Sequence, residues 1–268
     1  MASPFRPKKS LGQHFLADTN MIAKIISAIN VEEGQNLMEI GPGTGALTRH
    51  LFQKFPQMVA VEVDIRAIEH LYGEMPFLKI IEQDILKVDW ASFEQHLPAE
   101  TRDSGDKWYV VGNLPYYITS PILFRFLEWR TKLSEAVIMM QKEVAERLVA
   151  KPRTKAYGIL SVQFQVMCSM EYVLTVPPGV FIPPPKVESS VVRLSFDKAE
   201  PACGYEALKT VVRTAFSMRR KKLSNTLKPL LKGPLPDDIS FSLDQRAEEL
   251  TPEQFVELTL CLNQNDKV

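Results

Sequence analysis

The stretch "QNLMEIGPGTGALTRHL" (residues 35–51) decides the fold class. It opens with an apolar run, passes through Gly41, Gly43 and Gly45, and continues with apolar residues at helical spacing. A strand that ends in a glycine turn and leads straight into a helix is the unit from which parallel sheets are built. Moving outward, "MVAVEVD" (58–64), "LKIIEQD" (78–84), "WYVVGN" (108–113) and "EAVIMMQ" (135–141) read as further strands. Helical patterns stand between and after them: "AIEHLYGEM", "SPILFRFLEW" and "KEVAERLVA". Strands alternating with helices predict an α/β fold with a parallel, doubly wound, Rossmann-like sheet.

Upstream, "DTNMIAKIISAIN" (18–30) predicts a helix capped by Asp18. Downstream, "AYGILSVQFQVMCSMEYVLTVPP" and "SSVVRLSF" read as later strands, separated by a loop containing "FIPPPKV". After Asp197 the texture changes. "YEALKTVVRTAFSMRRKKLSNTLKPLL" and "TPEQFVELTLCLNQ" are amphipathic and helical, with no strand pattern. The expected division is a domain over 1–197 and a small all-helical domain over 198–268.

With 45% hydrophobic and 24% charged residues, the 268-residue chain has the composition of a soluble protein with a sizeable core. No apolar run approaches the roughly 18 residues of a membrane span, and "MASPFRPKKS" lacks the apolar segment of a secretory signal. A cytoplasmic protein is expected. Cys168, Cys203 and Cys261 are odd in number and scattered, which fits free thiols rather than a disulfide framework or a zinc site. The formal net charge is zero, yet basic residues cluster in "RPKK" (6–9), "KPRTK" (151–155) and "MRRKK" (218–222). Such clusters are commonly solvated faces; three of them in a neutral chain make a nucleic-acid partner a live reading.

The glycine loop by itself is ambiguous. Gly41, Gly43 and Ala46 also satisfy the G-x-G-x-x-A dinucleotide fingerprint, and Glu62 lies where a ribose-binding acid belongs. Two features break the tie. Asp84 puts a second carboxylate at the end of the next strand, a poor neighbourhood for pyrophosphate but a good one for a cationic donor without phosphate. The other feature is "VVGNLPYYITSPI" (110–122), at the end of the fourth strand. Adenine N6 is a weak nucleophile because its lone pair is delocalised into the ring. Methylating it calls for acceptors that hold the amino group and an aromatic face that fixes the base. The Asn113 side-chain oxygen and Leu114 carbonyl can accept, Pro115 shapes the turn, and Tyr116 offers the face. Hydride transfer has no use for this set.

"EIGPGTG", "VEVD", "EQD" and "NLPY", in this order, resemble the class I S-adenosylmethionine-dependent adenine-N6 methyltransferases. NLPY is typical of the ribosomal RNA adenine dimethyltransferases. "KKSLGQHFL", "MMQKEVAERLVA", "KAYGILSV" and "FIPPPKVESSVVRL" look like the small-subunit members, the KsgA/RsmA family. The resemblance covers 8–197, and the tail matches mainly through "AFSMRRKKLSNTLK" and "RAEELTPEQF".

The resemblance implies that S-adenosylmethionine is held by Gly41, Gly43, Glu62, Asp84 and Asn113. The N-terminal segment would close over it through His14 and Leu16; His14 stands where the family usually has Asn. The target adenine would be held by Asn113, Leu114, Pro115 and Tyr116, with Phe181 stacking on its other face; Tyr117 departs from the common NLPYN. Two successive methyl transfers would give N6,N6-dimethyladenosine at two adjacent adenosines in the 3′-terminal hairpin loop of 16S rRNA. No metal is implied. The partner would be the assembling 30S subunit, with the protein acting as a monomer and Arg219, Arg220, Lys221 and Lys222 contacting RNA. Three rival readings stay open on sequence: a 23S rRNA resistance methyltransferase, a non-catalytic assembly factor, and a nicotinamide-dependent dehydrogenase.

Overall fold

A computed structural model describes residues 7–8, 11–95, 105–236 and 238–265. The chain forms two compact units. The first runs through Ala145 and resumes over Glu171–Phe196; the second comprises Glu146–Met170 and the chain from Asp197. The expected contiguous division at 197/198 therefore differs from the observed one. Residues 146–170, which lead into the strand Ser169–Val176, group with the helical unit.

The first unit carries a seven-stranded sheet. Its strands are β2 (Asn36–Ile40), β3 (Val59–Glu62), β4 (Lys79–Glu82), β5 (Trp108–Asn113), β6 (Leu133–Gln141), β7 (Ser169–Val176) and β9 (Ser189–Ser195), in spatial order β4-β3-β2-β5-β6-β9-β7. Pairings from β4 to β6 are parallel, and β9 lies antiparallel to β6. Strand β2 reads "NLMEI" and is buried over its last four residues. Such continuous burial fits a central parallel strand covered on both faces. Even Glu39 is therefore inside.

The chain runs from β2 outward to β3 and β4, then returns to the other side of β2 as β5. That reversal opens a crevice at the carboxyl ends of the strands, where α/β sheets bind ligands. Gly112 lets β5 approach β2 closely there: a Cβ would stand 2.7 Å from the Ile40 carbonyl oxygen.

Helix α1 (Thr19–Ser27) begins as expected, with Asp18 accepting from the Met21 amide at 2.7 Å and Ile22 and Ile25 buried. Ahead of it, β1 (Phe15–Leu16) pairs antiparallel with β8 (Phe181–Ile182), setting Leu16 opposite Phe181. This small ribbon fastens an N-terminal arm to the first unit.

Two expectations are corrected. Ile159–Met167 is a helix rather than a strand. Its sequence alternates apolar and polar residues from Leu160 to Val166, the period of a strand, yet the helix is buried at Leu160, Ser161, Val162, Gln163, Phe164 and Met167, so that alternation marks no face. Secondly, Arg219–Lys222 does not lie on a helix. A helix over Tyr205–Ala215 gives way to a short 3-10 turn, Phe216–Met218, and helix resumes only at Leu223–Thr226. Lys222 is extended and bridges to Arg246, a pairing that holds the chain out of helix.

The second unit has its own core, which includes Tyr157, Val212, Leu223, Leu250 and Phe255. Cys168, Cys203 and Cys261 are free and buried, and burial pushes the Cys168 thiol up to about 12. Among the described residues no helix is long and apolar enough to cross a membrane.

Candidate active site

At the carboxyl ends of β2–β5 the first unit holds a cavity of about 300 Å³. It is lined by the glycine loop, Glu62, Asp84, the turn from Asn113 to Ile118 and the arm from Leu11 to Leu16. Of the expected first-unit residues, His14, Leu16, Gly41, Gly43, Glu62, Asp84, Asn113, Leu114, Pro115 and Tyr116 all reach it.

Gly41 and Gly43 have φ of +66° and +55°, in the left-handed region that favours glycine. A Cβ on Gly41 would meet nothing within 4 Å, so the loop turns a bare backbone toward open space. On Gly43 it would stand 2.9 Å from the Phe15 ring, so the arm packs directly on the loop.

Glu62 is 7% exposed and ties the loop to β3. It accepts from the Gly43 amide at 3.1 Å and from the Val63 and Asp64 amides at 2.7 and 2.9 Å. A carboxylate offers about four acceptor positions, so capacity remains for a ligand hydroxyl. Asp84 accepts from the Leu86 amide at 3.0 Å, which aims a second carboxylate from the next strand end.

Two acids of the quoted motifs turn out to matter although sequence gave them no role. Glu39 lines the cavity at 2% exposure, and its Oε2 has no hydrogen-bond partner among the described residues. Burial, with the Glu62 charge adding to it, pushes its carboxyl up to about 8. Asp64 anchors the arm, taking bonds from Gln13 at 3.0 Å and Arg66 at 2.5 Å, with Lys8 at 3.4 Å. Burial opposes its ionisation, yet the Arg66 and Gln13 bonds and the Arg66 and Lys8 charges hold it down to about 2. The only sequence signal for either was its place in a motif.

The β5 turn presents Asn113 with its Nδ2 donating to the His14 carbonyl at 2.9 Å. Tyr116 lies in a 3-10 turn, its hydroxyl 2.5 Å from Ser189 Oγ, and burial raises its phenol above the ordinary value. The ring therefore stays neutral through the physiological range. Phe181 is the exception to the expected constellation. Its ring is 2% exposed, packed in the core with Leu16, Val176 and Val191, and it does not line the cavity. Residues alternate across a strand, so pairing with Leu16 turns Phe181 inward while Ile182 faces out at 63% exposure. Stacking of Phe181 on a base is not offered by this arrangement.

In the second unit a surface cavity, also about 300 Å³, is lined by Arg153, Lys155, Arg219, Arg220, Arg246 and Glu248 among others. Arg219 bonds Glu248 at 3.0 Å and the Lys155 carbonyl at 2.6 Å. Lys222 pairs with Asp244 at 2.9 Å. The fold thus gathers "KPRTK" and "MRRKK", distant in sequence, around one basic hollow. The "RPKK" cluster lies largely outside the described residues. Among the described residues no group of three or more His, Cys, Asp or Glu could hold a metal ion.

A family model described as ribosomal RNA adenine dimethylase matches residues 5–264. The chain belongs to that family. It is 43% identical to a ribosomal RNA small subunit methyltransferase A of Salinibacter ruber over 268 residues, covering 98% of this chain and 87% of that one. A protein of the same name from Parabacteroides distasonis is 42% identical, over 95% and 93% of the two chains. Among solved structures, a dimethyladenosine transferase from Plasmodium falciparum superposes with a TM-score of 0.73 at 25% identity, covering 94% of this chain and 98% of that one. The 23S rRNA methyltransferase ErmE gives 0.67 at 27%, covering 93% and 100%. Membership of the dimethylase family sets aside the dehydrogenase reading of the glycine loop.

Proposed function

We propose that this family member transfers methyl groups from S-adenosylmethionine to N6 of two adjacent adenosines in the 3′-terminal hairpin loop of 16S rRNA, giving N6,N6-dimethyladenosine. The observation that carries this is the joining, in one cavity, of a glycine loop, two strand-end carboxylates and the Asn113–Tyr116 turn. The choice of the small subunit rests on the relatives at 42–43% identity, against 27% for the 23S enzyme.

The residues present fit the donor. Its ammonium and sulfonium charges suit a cavity lined by Glu62 and Asp84, and the buried Glu39 Oε2 lacks, among the described residues, a hydrogen-bond partner that a bound ligand could supply. Gly41 and Gly43 would give the backbone cradle, Glu62 the acceptor for ribose hydroxyls, and Asp84 that for the adenine amine. His14 and Leu16 of the arm would cover it. When bound, the donor supplies an electrophilic methyl group.

The chain's own residues do the rest. Because Nδ2 of Asn113 is committed to the His14 carbonyl, its Oδ1 is the end left to accept from the target amine. Together with the Leu114 carbonyl it holds the amino group so that the nitrogen lone pair leaves the ring plane. No strong base is needed, because nitrogen loses its proton after it has become positively charged. Tyr116 holds the base by its face. The apolar walls, including Leu114 at 1% exposure, exclude water from a reaction in which positive charge is redistributed.

The basic hollow of the second unit would take rRNA phosphates, with Arg219, Arg220, Lys221 and Lys222 joined by Arg153, Lys155 and Arg246. The protein would act in the cytoplasm as a monomer on assembling 30S subunits, without a metal. Mass spectrometry of 16S rRNA from cells with and without this protein tests the reading. The two dimethyladenosines should vanish in its absence; their persistence would refute it.

A further inference from the structure

His14 is tied to the target-base turn in three ways. Its carbonyl accepts from Asn113 Nδ2 at 2.9 Å. Its Nδ1 lies 2.8 Å from the Pro183 carbonyl oxygen, which can only accept, so Nδ1 carries the proton in that contact. Its ring is stacked on Tyr116, with centroids 5.4 Å apart and planes inclined by 25°.

Aromatic rings in direct contact have centroids about 4.5–7 Å apart. At 5.4 Å nothing lies between His14 and Tyr116, and no base could be inserted there without moving a ring. Both rings line the same cavity. We infer that the His14 imidazole is a resident ring on the face of Tyr116 that the target adenine uses, and that the adenine exchanges with it on entering. This rests on the reading of Tyr116 as the base-stacking residue.

The geometry makes the exchange economical. Rotation about the His14 Cα–Cβ bond clears the ring while the backbone carbonyl stays on Asn113. The acceptor orientation of Asn113 is thus kept throughout. What is given up is one ring contact and the bond to Pro183, and a larger ring contact replaces the first. The Tyr116 face is covered both before and after, so the slot need not fill with water between substrates.

The test is proton–carbon correlation NMR of the full-length protein. His14 is one of four histidines, and its signals are assigned from their loss in His14→Gln. In the free protein its ring protons should lie upfield, and Tyr116→Leu should abolish that shift. Addition of a hairpin RNA carrying two adjacent adenosines, with S-adenosylhomocysteine present, should move the His14 signals to their Tyr116→Leu positions while the Tyr116 ring signals move upfield under the base. Tyr116 signals moving with His14 still upfield would overturn the exchange alone. Neither set moving in a saturated complex would overturn the Tyr116 reading and the exchange with it. A second measurement separates a resident ring from a stacking partner. His14→Ala should bind the hairpin about two- to tenfold more tightly, the worth of one aromatic pair. Weaker binding would make His14 a partner of the base, contrary to the inference.

Discussion

The side-chain amide of Asn113 donates to the backbone carbonyl of His14 at 2.9 Å. Residues 99 positions apart are thereby joined, and the orientation of the amide is set by the arm. On the proposed reading, the arm that would cover the donor is also the element that leaves Asn113 Oδ1 for the target amine. On that reading, donor binding and acceptor geometry would be coupled through this one contact.

Glu62→Ala and Asp84→Ala should each weaken S-adenosylmethionine binding by roughly 1.5–3 kcal/mol, the worth of a hydrogen bond to a charged group. The two should differ in stability. Glu62 accepts from three backbone amides and Asp84 from one, so Glu62→Ala should also lower the melting temperature more. Titration calorimetry and thermal melts check both; unchanged donor affinity in both variants would remove them from the site.

Glu39 predicts a pH dependence of stability. Its folded value of about 8 lies above the ordinary 4.5, so between those values the unfolded chain ionises while the native carboxyl stays protonated. Stability from this group is full below pH 4.5 and is lost as pH rises toward 8, with a limiting slope of about 1.4 kcal/mol per pH unit. Glu39→Gln should remove that component from denaturant midpoints measured across pH 5–8, as roughly spanned by the shift.

Tyr116→Ala should cripple methyl transfer, because a base stacked on an aromatic ring is worth about 1–3 kcal/mol. Tyr116→Phe keeps the face and loses the contact with Ser189, so it should cost much less. Equal damage from both in kcat/KM would assign the role to the hydroxyl.

Arg219 and Lys222 are engaged with Glu248 and Asp244, whereas no side-chain ion pair involves Arg220 or Lys221 among the described residues. Arg220→Ala with Lys221→Ala should therefore flatten the salt dependence of subunit binding, by about one unit of slope per lost phosphate contact. Donor affinity should be unchanged. An unchanged slope across a salt series would assign the cluster to solubility.

Much of the site could be read from sequence because its residues sit at strand ends, and strand ends are marked by turn chemistry. Gly41, Glu62, Asp84 and Asn113 each follow an apolar run and converge once the parallel order is known. What sequence did not give depends on contacts across the fold. Glu39 looks like any motif acid until β2 is seen to be covered on both faces. Phe181 looked available until its pairing with Leu16 turned it into the core. The chain excursion at 146–170 hid because Leu160 to Val166 alternate apolar and polar residues, the period of a strand, while the helix they form is buried on most sides. The basic hollow needed Arg246, which stands in "RAEELTPEQF" apart from the basic clusters in sequence, to be brought beside Lys222.

The most direct test is single-turnover methyl transfer to immature small subunits, with wild-type protein and Asn113→Ala both saturated with S-adenosylmethionine. On the proposed reading the Asn113 oxygen would act on the amine as it becomes the nucleophile, so its loss should fall on the rate more than on donor affinity. The expected result is a rate reduced at least a hundredfold, roughly 2.7 kcal/mol of barrier, with donor binding weakened much less. A near wild-type rate of dimethyladenosine formation by Asn113→Ala would contradict the account.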